Sequence, residues 1–286
     1  MNRLQPGVVA VALMVLSASS GHGGQAVQPA VKPVSVPAYQ PKFYPYERGE
    51  KALYRATWNG MFSIATAEVR TMPAVLDGKR VFQVRIEART SSALDMIWKM
   101  RDTISSTFEA KALVPARFTF HQRENSRVID TEAFYDPSTQ RWSVDRRQLG
   151  KQPKIYDFDS ENTLDPITTA YTARSLDFKV GDRLYFKVFG GRYRYLVEMW
   201  VEKKEAVTLG SGKTVEAFRI TPRVQNLTRR GYAPRLNEAT VWLTADDRRL
   251  PVKLSSRIVF GTVFVELAED PRTGEAAASD QARPAP

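Results

Sequence analysis

Val81-Phe82-Gln83-Val84-Arg85-Ile86-Glu87-Ala88 decides the fold class. In an extended chain Phe82, Val84, Ile86 and Ala88 fall on one face, and Val81, Gln83, Arg85 and Glu87 on the other. That period of two, with one polar face, is the signature of a half-buried strand in an antiparallel sheet. The same alternation recurs outward from this stretch, in Leu53–Trp58, Ile64–Arg70, Ile104–Glu109, Arg117–Arg123 and Arg127–Tyr135. It returns in Arg183–Val188, Tyr193–Val201, Val215–Thr221, Ala239–Leu243, Val252–Phe260 and Val263–Leu267. Asn59-Gly60, Asp77-Gly78, Asp136-Pro137, Gly190-Gly191 and Gly210-Ser211-Gly212 punctuate the runs as tight turns. Two stretches switch to helical period. Ser91–Met100 sets Leu94, Ile97 and Trp98 on one stripe, and Asp165-Pro166 opens a helix whose face carries Ile167, Ala170, Tyr171 and Arg174. The expectation is a mainly β chain: an antiparallel, strongly curved sheet, a half-barrel or incompletely closed barrel, with two short helices.

The ends read differently. Arg3 precedes the apolar run Gly7–Leu16, and small residues lead to Gly24-Gln25-Ala26. A positive start, a short apolar stretch and a small-residue cut site form the pattern of a cleavable secretory signal, so residues 1–26 are expected to be removed and the chain to reach the periplasm. Residues 27–46 place prolines at 29, 33, 37, 41 and 45, which predicts an extended spacer. Residues 47–268 are then a single β-rich domain, and residues 269–286, without a large apolar side chain, a disordered tail.

Composition excludes much chemistry. Of 286 residues none is cysteine and two are histidine, so thiolate nucleophiles, disulfides, iron–sulfur clusters and Cys-ligated zinc are out. Lys and Arg total 42 against 31 Asp and Glu, a formal charge of +11. In an exported protein such charge points to anionic envelope components rather than nucleic acid. Part of it stands in doublets such as Arg146-Arg147 and Arg248-Arg249.

Several stretches carry a resemblance. Gly49-Glu50-Lys51-Ala52-Leu53-Tyr54-Arg55, then Asp165-Pro166-Ile167-Thr168, and finally Val241-Trp242-Leu243-Thr244-Ala245-Asp246-Asp247-Arg248-Arg249-Leu250-Pro251-Val252 resemble the exported bacterial proteins grouped as domain of unknown function 3108. The resemblance spans roughly residues 47–268 and implies a secreted, mainly β envelope protein; it supplies no catalytic residues. Thr168 stands where a serine is more usual, which leaves the helix cap intact.

Motifs with chemical flavour are outweighed by plainer readings. Gly210-Ser211-Gly212-Lys213-Thr214 mimics the end of a phosphate-binding loop, but Val207 occupies the required glycine position and a strand follows. It reads as a hairpin turn. His121 lies on the polar face of its strand with no nucleophile elbow in the sequence. Asp157, Asp159, Glu161 and Asp165 form an acidic run lacking the bending glycine and bidentate glutamate of a calcium loop. Glu87, Asp102, Asp165 and Asp246 are the carboxylates from which a hydrolase pair would be drawn.

The functional expectation is a non-enzymatic periplasmic protein that binds or carries an amphipathic or anionic envelope molecule. An assembly or scaffold protein is the alternative, and a carboxylate-based hydrolase a further one. Leu94, Ile97, Trp98, Met100, Tyr171 and Arg174 are the candidate ligand-binding residues. No cofactor, metal, nucleic-acid partner or membrane-spanning segment of the mature chain is expected, and a protein partner is kept open.

Overall fold

The computed structural model describes residues 35–228, 239–258, 261–269 and 271–273. The expected signal (1–26), the first part of the spacer and most of the tail lie outside the described residues. Described residues form β1 (Glu50–Trp58), β2 (Phe62–Leu76), β3 (Lys79–Thr90), α1 (Ser92–Asp95), β4 (Arg101–Glu109), β5 (Pro115–Glu124), β6 (Arg127–Asp136), β7 (Arg141–Gln148) and β8 (Lys154–Asp159). There follow β9 (Thr163–Leu164), α2 (Pro166–Arg174), β10 (Arg183–Phe189), β11 (Arg194–Thr208), β12 (Thr214–Asn226), β13 (Ala239–Thr244), β14 (Pro251–Ile258), β15 (Gly261–Leu267) and β16 (Arg272–Thr273).

All strands belong to one sheet, ordered β8-β7-β6-β5-β4-β3-β2-β1-β15-β14-β13-β12-β11-β10-β9, with β16 also on β1. It is two meanders fused where β1 meets β15 in the register Tyr54↔Leu267 to Trp58↔Val263. Among the described residues only the short β9–β10 pairing is parallel. β8 and β9, at opposite ends of this order, are consecutive in the chain and separated by residues 160–162. Side chains rather than ladder bonds close that seam. The Phe158 and Phe189 rings sit 5.1 Å apart, Trp142 Nε1 donates to the Thr163 carbonyl at 3.1 Å, and the Arg194 guanidinium lies 5.0 Å over Phe158. The expected curved, incompletely closed barrel is what forms.

Strand parity fills the interior. Phe82, Val84, Phe108, Phe118, Phe120 and Trp142 all point inward and are buried. α2 passes among them, buried along almost its whole length. Asp165 is its N-cap, accepting from Ile167 N at 2.9 Å and Thr168 N at 3.0 Å, with Pro166 following in the first turn. The Asp-Pro signature holds in the fold because both halves of the cap are local chemistry. At the other end Arg174 makes a two-armed ion pair with Glu50, 2.9 and 2.8 Å. Tyr46 stacks edge-on against Tyr171 with centroids 4.6 Å apart.

Three expectations change. The helix over Ser91–Met100 shrinks to one turn: Ser91 caps it, Asp95 is drawn onto Arg101 and Thr90, and Met100 returns to the sheet as a bridge to Glu124. The described part of the spacer is docked rather than free. Tyr39 packs on Phe186 and its hydroxyl accepts from Tyr185 N at 2.8 Å, Lys42 N donates to the Ser175 carbonyl at 2.7 Å, and Tyr46 is fully buried. Prolines hold that segment extended while tyrosines between them anchor it. β16 lies inside the expected tail. No helix among the described residues is long and apolar enough to cross a membrane.

Candidate functional site

Antiparallel registers sort the connections between two rims. Residues 59–61, 91–100, 125–126, 149–153 and 190–193 fall on one, and residues 77–78, 110–114, 137–140, 209–213 and 245–250 on the other. α2 starts in mid-barrel, where Ser106 donates to Asp165 at 2.8 Å, and runs to the second rim. The first rim is closed differently. The β10–β11 turn folds across the opening: a side chain on Gly191 would stand 3.7–3.8 Å from Phe118, Thr131 and Phe120, on the inward face of β5 and β6. Its φ of +82° is a conformation open to glycine at little cost.

That turn delivers Arg192 and Tyr193 to an inward-facing charged layer. On β7, Trp142, Val144 and Arg146 share the inner parity. Arg146 is 6% exposed and forms no ion pair with any described residue. Burial first, then the neighbouring guanidinium groups of Arg192 and Arg127, press its protonated form below its usual range. Tyr156, on β8, stands against the same group; burial raises its phenol, and Arg146, Arg192 and Arg194 oppose that rise. Its hydroxyl reaches the Arg192 carbonyl at 3.5 Å. Arg127 is held 3.3 Å from Glu124.

Beside this cationic layer lies a buried carboxyl. Asp102 is 2% exposed; Oδ1 accepts from Arg123 N at 2.7 Å, and Oδ2 is buried without a hydrogen-bond partner among the described residues. Burial, with a further push from Glu124, raises it to about 7. Burial raises Glu124 too, against Arg127. The mouth therefore presents several guanidinium groups and carboxyls that resist ionising, an arrangement suited to holding an anion.

The six candidates from the sequence do not converge. Tyr171 and Arg174 belong to the buried α2 network, Tyr171 bonded to Thr71 and Arg174 to Glu50. Met100 is in the core, Leu94 and Trp98 are partly buried against it, and Ile97 projects from the first rim at 63% exposure. The other motifs resolve locally. Gly210–Thr214 is a hairpin turn, with Leu209 N bonded to the Lys213 carbonyl at 2.9 Å. His121 Nδ1 pairs across the strands with Asp130 at 2.7 Å. Asp159 and Glu161 diverge to Arg141 and Lys187, while Asp165 caps α2. The Arg146-Arg147 doublet splits between the two faces of β7. Parity with Trp142 is the sequence signal that turns Arg146 inward.

The family model for DUF3108, a protein of unknown function, matches residues 53–268. A crystal structure of a beta-barrel-like protein of domain of unknown function DUF1849 from Brucella abortus is similar at 10% identity and a TM-score of 0.48, covering 79% of this chain and 98% of that one. No curated protein matches significantly.

Proposed function

This chain belongs to the DUF3108 family, and we propose that it is a non-enzymatic periplasmic protein that binds an anionic amphiphile of the cell envelope by its head group at the Arg146 mouth. One observation carries the reading: a buried guanidinium with no acidic partner among the described residues, flanked by two more. An unpaired buried charge costs several kcal/mol, and an anion bound there offsets that cost. The packed interior around α2 favours head-group recognition over carriage of an acyl chain inside the barrel. A phosphate-bearing head group suits the arginine layer, because guanidinium groups pair with phosphate oxygens in two-armed geometry. The expected signal at residues 1–26 supports the compartment.

The test is saturable binding of fluorescently labelled phosphatidylglycerol, with a phosphatidylcholine analogue as the neutral control. Arg146→Gln should weaken phosphatidylglycerol binding about tenfold or more, as expected for one charge-assisted contact. Arg147→Gln, one residue away but pointing outward, should leave it unchanged. Equal binding of both lipids, or equal loss in both variants, would refute the proposal. Mass spectrometry of protein purified natively from envelope fractions would identify the ligand.

The alternative scaffold reading has one feature in its favour. Among the described residues β8 pairs only with β7, and it carries the exposed Ile155, an edge suited to strand addition by a protein partner.

A further inference from the structure

The first rim differs from the second in a way the head-group site does not require. Its connections and adjoining strand ends carry Met61, Phe62, Met96, Ile97, Leu149 and Ile155, each between 59% and 85% exposed. These side chains project from separate loops: the β1–β2 turn, the stretch after α1, and the β7–β8 connection with the start of β8. Trp58 lies against Phe62 with ring centroids 6.0 Å apart. Between them stand Arg89, Lys99, Lys151, Lys154 and Arg257, all exposed and none in an ion pair with a described residue. Of the described acids of this rim, Asp95 is held by Arg101 and Glu124 by Arg127, while Asp102 is buried away from the surface.

The second rim is of mixed sign. There Arg80 meets Glu47 at 3.3 Å, Lys42 meets Asp177 at 3.1 Å, and Arg248 meets Asp246 at 2.8 Å. Among the described residues, six of the seven large apolar side chains more than half exposed stand at the first rim, and Val75 at the second is the seventh. Exposed Lys79, Lys111 and Lys179 of the second rim are in no ion pair with a described residue, but they share that rim with Asp77 and Asp247, which are in none either.

We infer that this rim docks on an anionic lipid bilayer, with the apolar tips in the interfacial zone and the cations at the phosphates. The separation of the tips selects this occupant. A bilayer accepts isolated apolar side chains at the same depth, whereas a protein partner of comparable affinity needs a contiguous, complementary patch. Cations around the tips match a negative surface and bind it cooperatively with insertion. Docked in this way, the barrel turns its arginine mouth toward the membrane.

The experiment is co-sedimentation of the full chain with vesicles of phosphatidylglycerol and phosphatidylcholine, compared with vesicles of phosphatidylcholine alone. All variants share one N-terminus, so differences report the rim. Met61→Glu/Ile97→Glu and Lys99→Glu/Lys151→Glu, at exposed positions and with unchanged melting temperature, should each reduce partitioning onto anionic vesicles at least tenfold. Wild-type binding should fall with salt and be much weaker on neutral vesicles. Wild-type levels of binding by either variant would overturn the inference, as would indifference to lipid charge, or retention on an acidic polypeptide but not on vesicles. Arg146 is unchanged in both variants, so the head-group site and the docking face fail separately.

Discussion

Replacing Asp102 with asparagine tests the electrostatics of the mouth most directly. The buried carboxyl sits at about 7 in the folded chain against an ordinary 3.8. Between these values the folded state holds a proton that the unfolded state has released, so stability falls as pH rises. The contribution is complete below the unfolded value and gone above the folded one. Each pH unit crossed between the two values removes about 1.36 kcal/mol. Going from about pH 5 to about pH 8 should therefore cost the wild type about 2–3 kcal/mol through this group. Glu124, also raised by burial, adds to the same slope. Asp102→Asn keeps the shape and the acceptor for Arg123 N but has no proton to lose. Urea denaturation at several pH values should show a variant with a flatter profile, gaining on the wild type as pH rises and more stable near pH 8. A difference between the two proteins that does not vary with pH would refute the reasoning.

Glu50→Gln leaves Arg174 charged and buried without its partner, and should cost about 3–5 kcal/mol in chemical denaturation; a loss below about 1 kcal/mol would mean the pair is dispensable. Asp165→Ala removes the α2 cap and the carboxylate that accepts from the hydroxyls of Ser106 and Thr168, with an expected loss of about 2 kcal/mol or more by thermal melting. Gly191→Ala forces a side chain into the left-handed region at the turn across the mouth, which should cost about 1–2 kcal/mol and weaken phosphatidylglycerol binding; unchanged values for both would show that the turn tolerates the change. Lys213→Ala, in the exposed β11–β12 turn, should stay within about 0.5 kcal/mol of wild type, and nucleotide binding lost with it would restore the phosphate-loop reading.

How far the sequence speaks depends on whether a signal is local. Val81–Ala88 announces its strand because every second residue is apolar, and Asp165-Pro166 announces a helix because cap and first turn are adjacent. Arg141–Gln148 and Lys154–Asp159 do not declare themselves as strands. Their inner faces mix Trp142, Val144, Tyr156 and Phe158 with Arg146, and their outer faces are charged, so the alternation is diluted where the site lies. The short α1 is obscured for another reason. Its helical spacing is real, but Thr90, Arg101 and Glu124 pull the following residues back to the sheet through contacts that sequence distance conceals. The mouth itself is out of reach of the sequence, because Arg146 and Arg192 meet only after the barrel has curled.

The pairing of β1 with β15 also sets an order of events. As the chain leaves the ribosome, β1 finds β2 at once but waits for its other neighbour, β15, until nearly the whole of residues 50–267 has emerged. Until then its free side is an open template for any extended chain nearby. Pairings so distant in sequence make for slow folding. A chain cut at residues 160–162 and rejoined between β15 and β1 would place β1 and β15 next to each other in sequence, while β8 and β9 would become its ends. Such a permuted chain should complete its central pairing early, and the time the natural chain spends half-wrapped is the interval in which a holding partner would matter most.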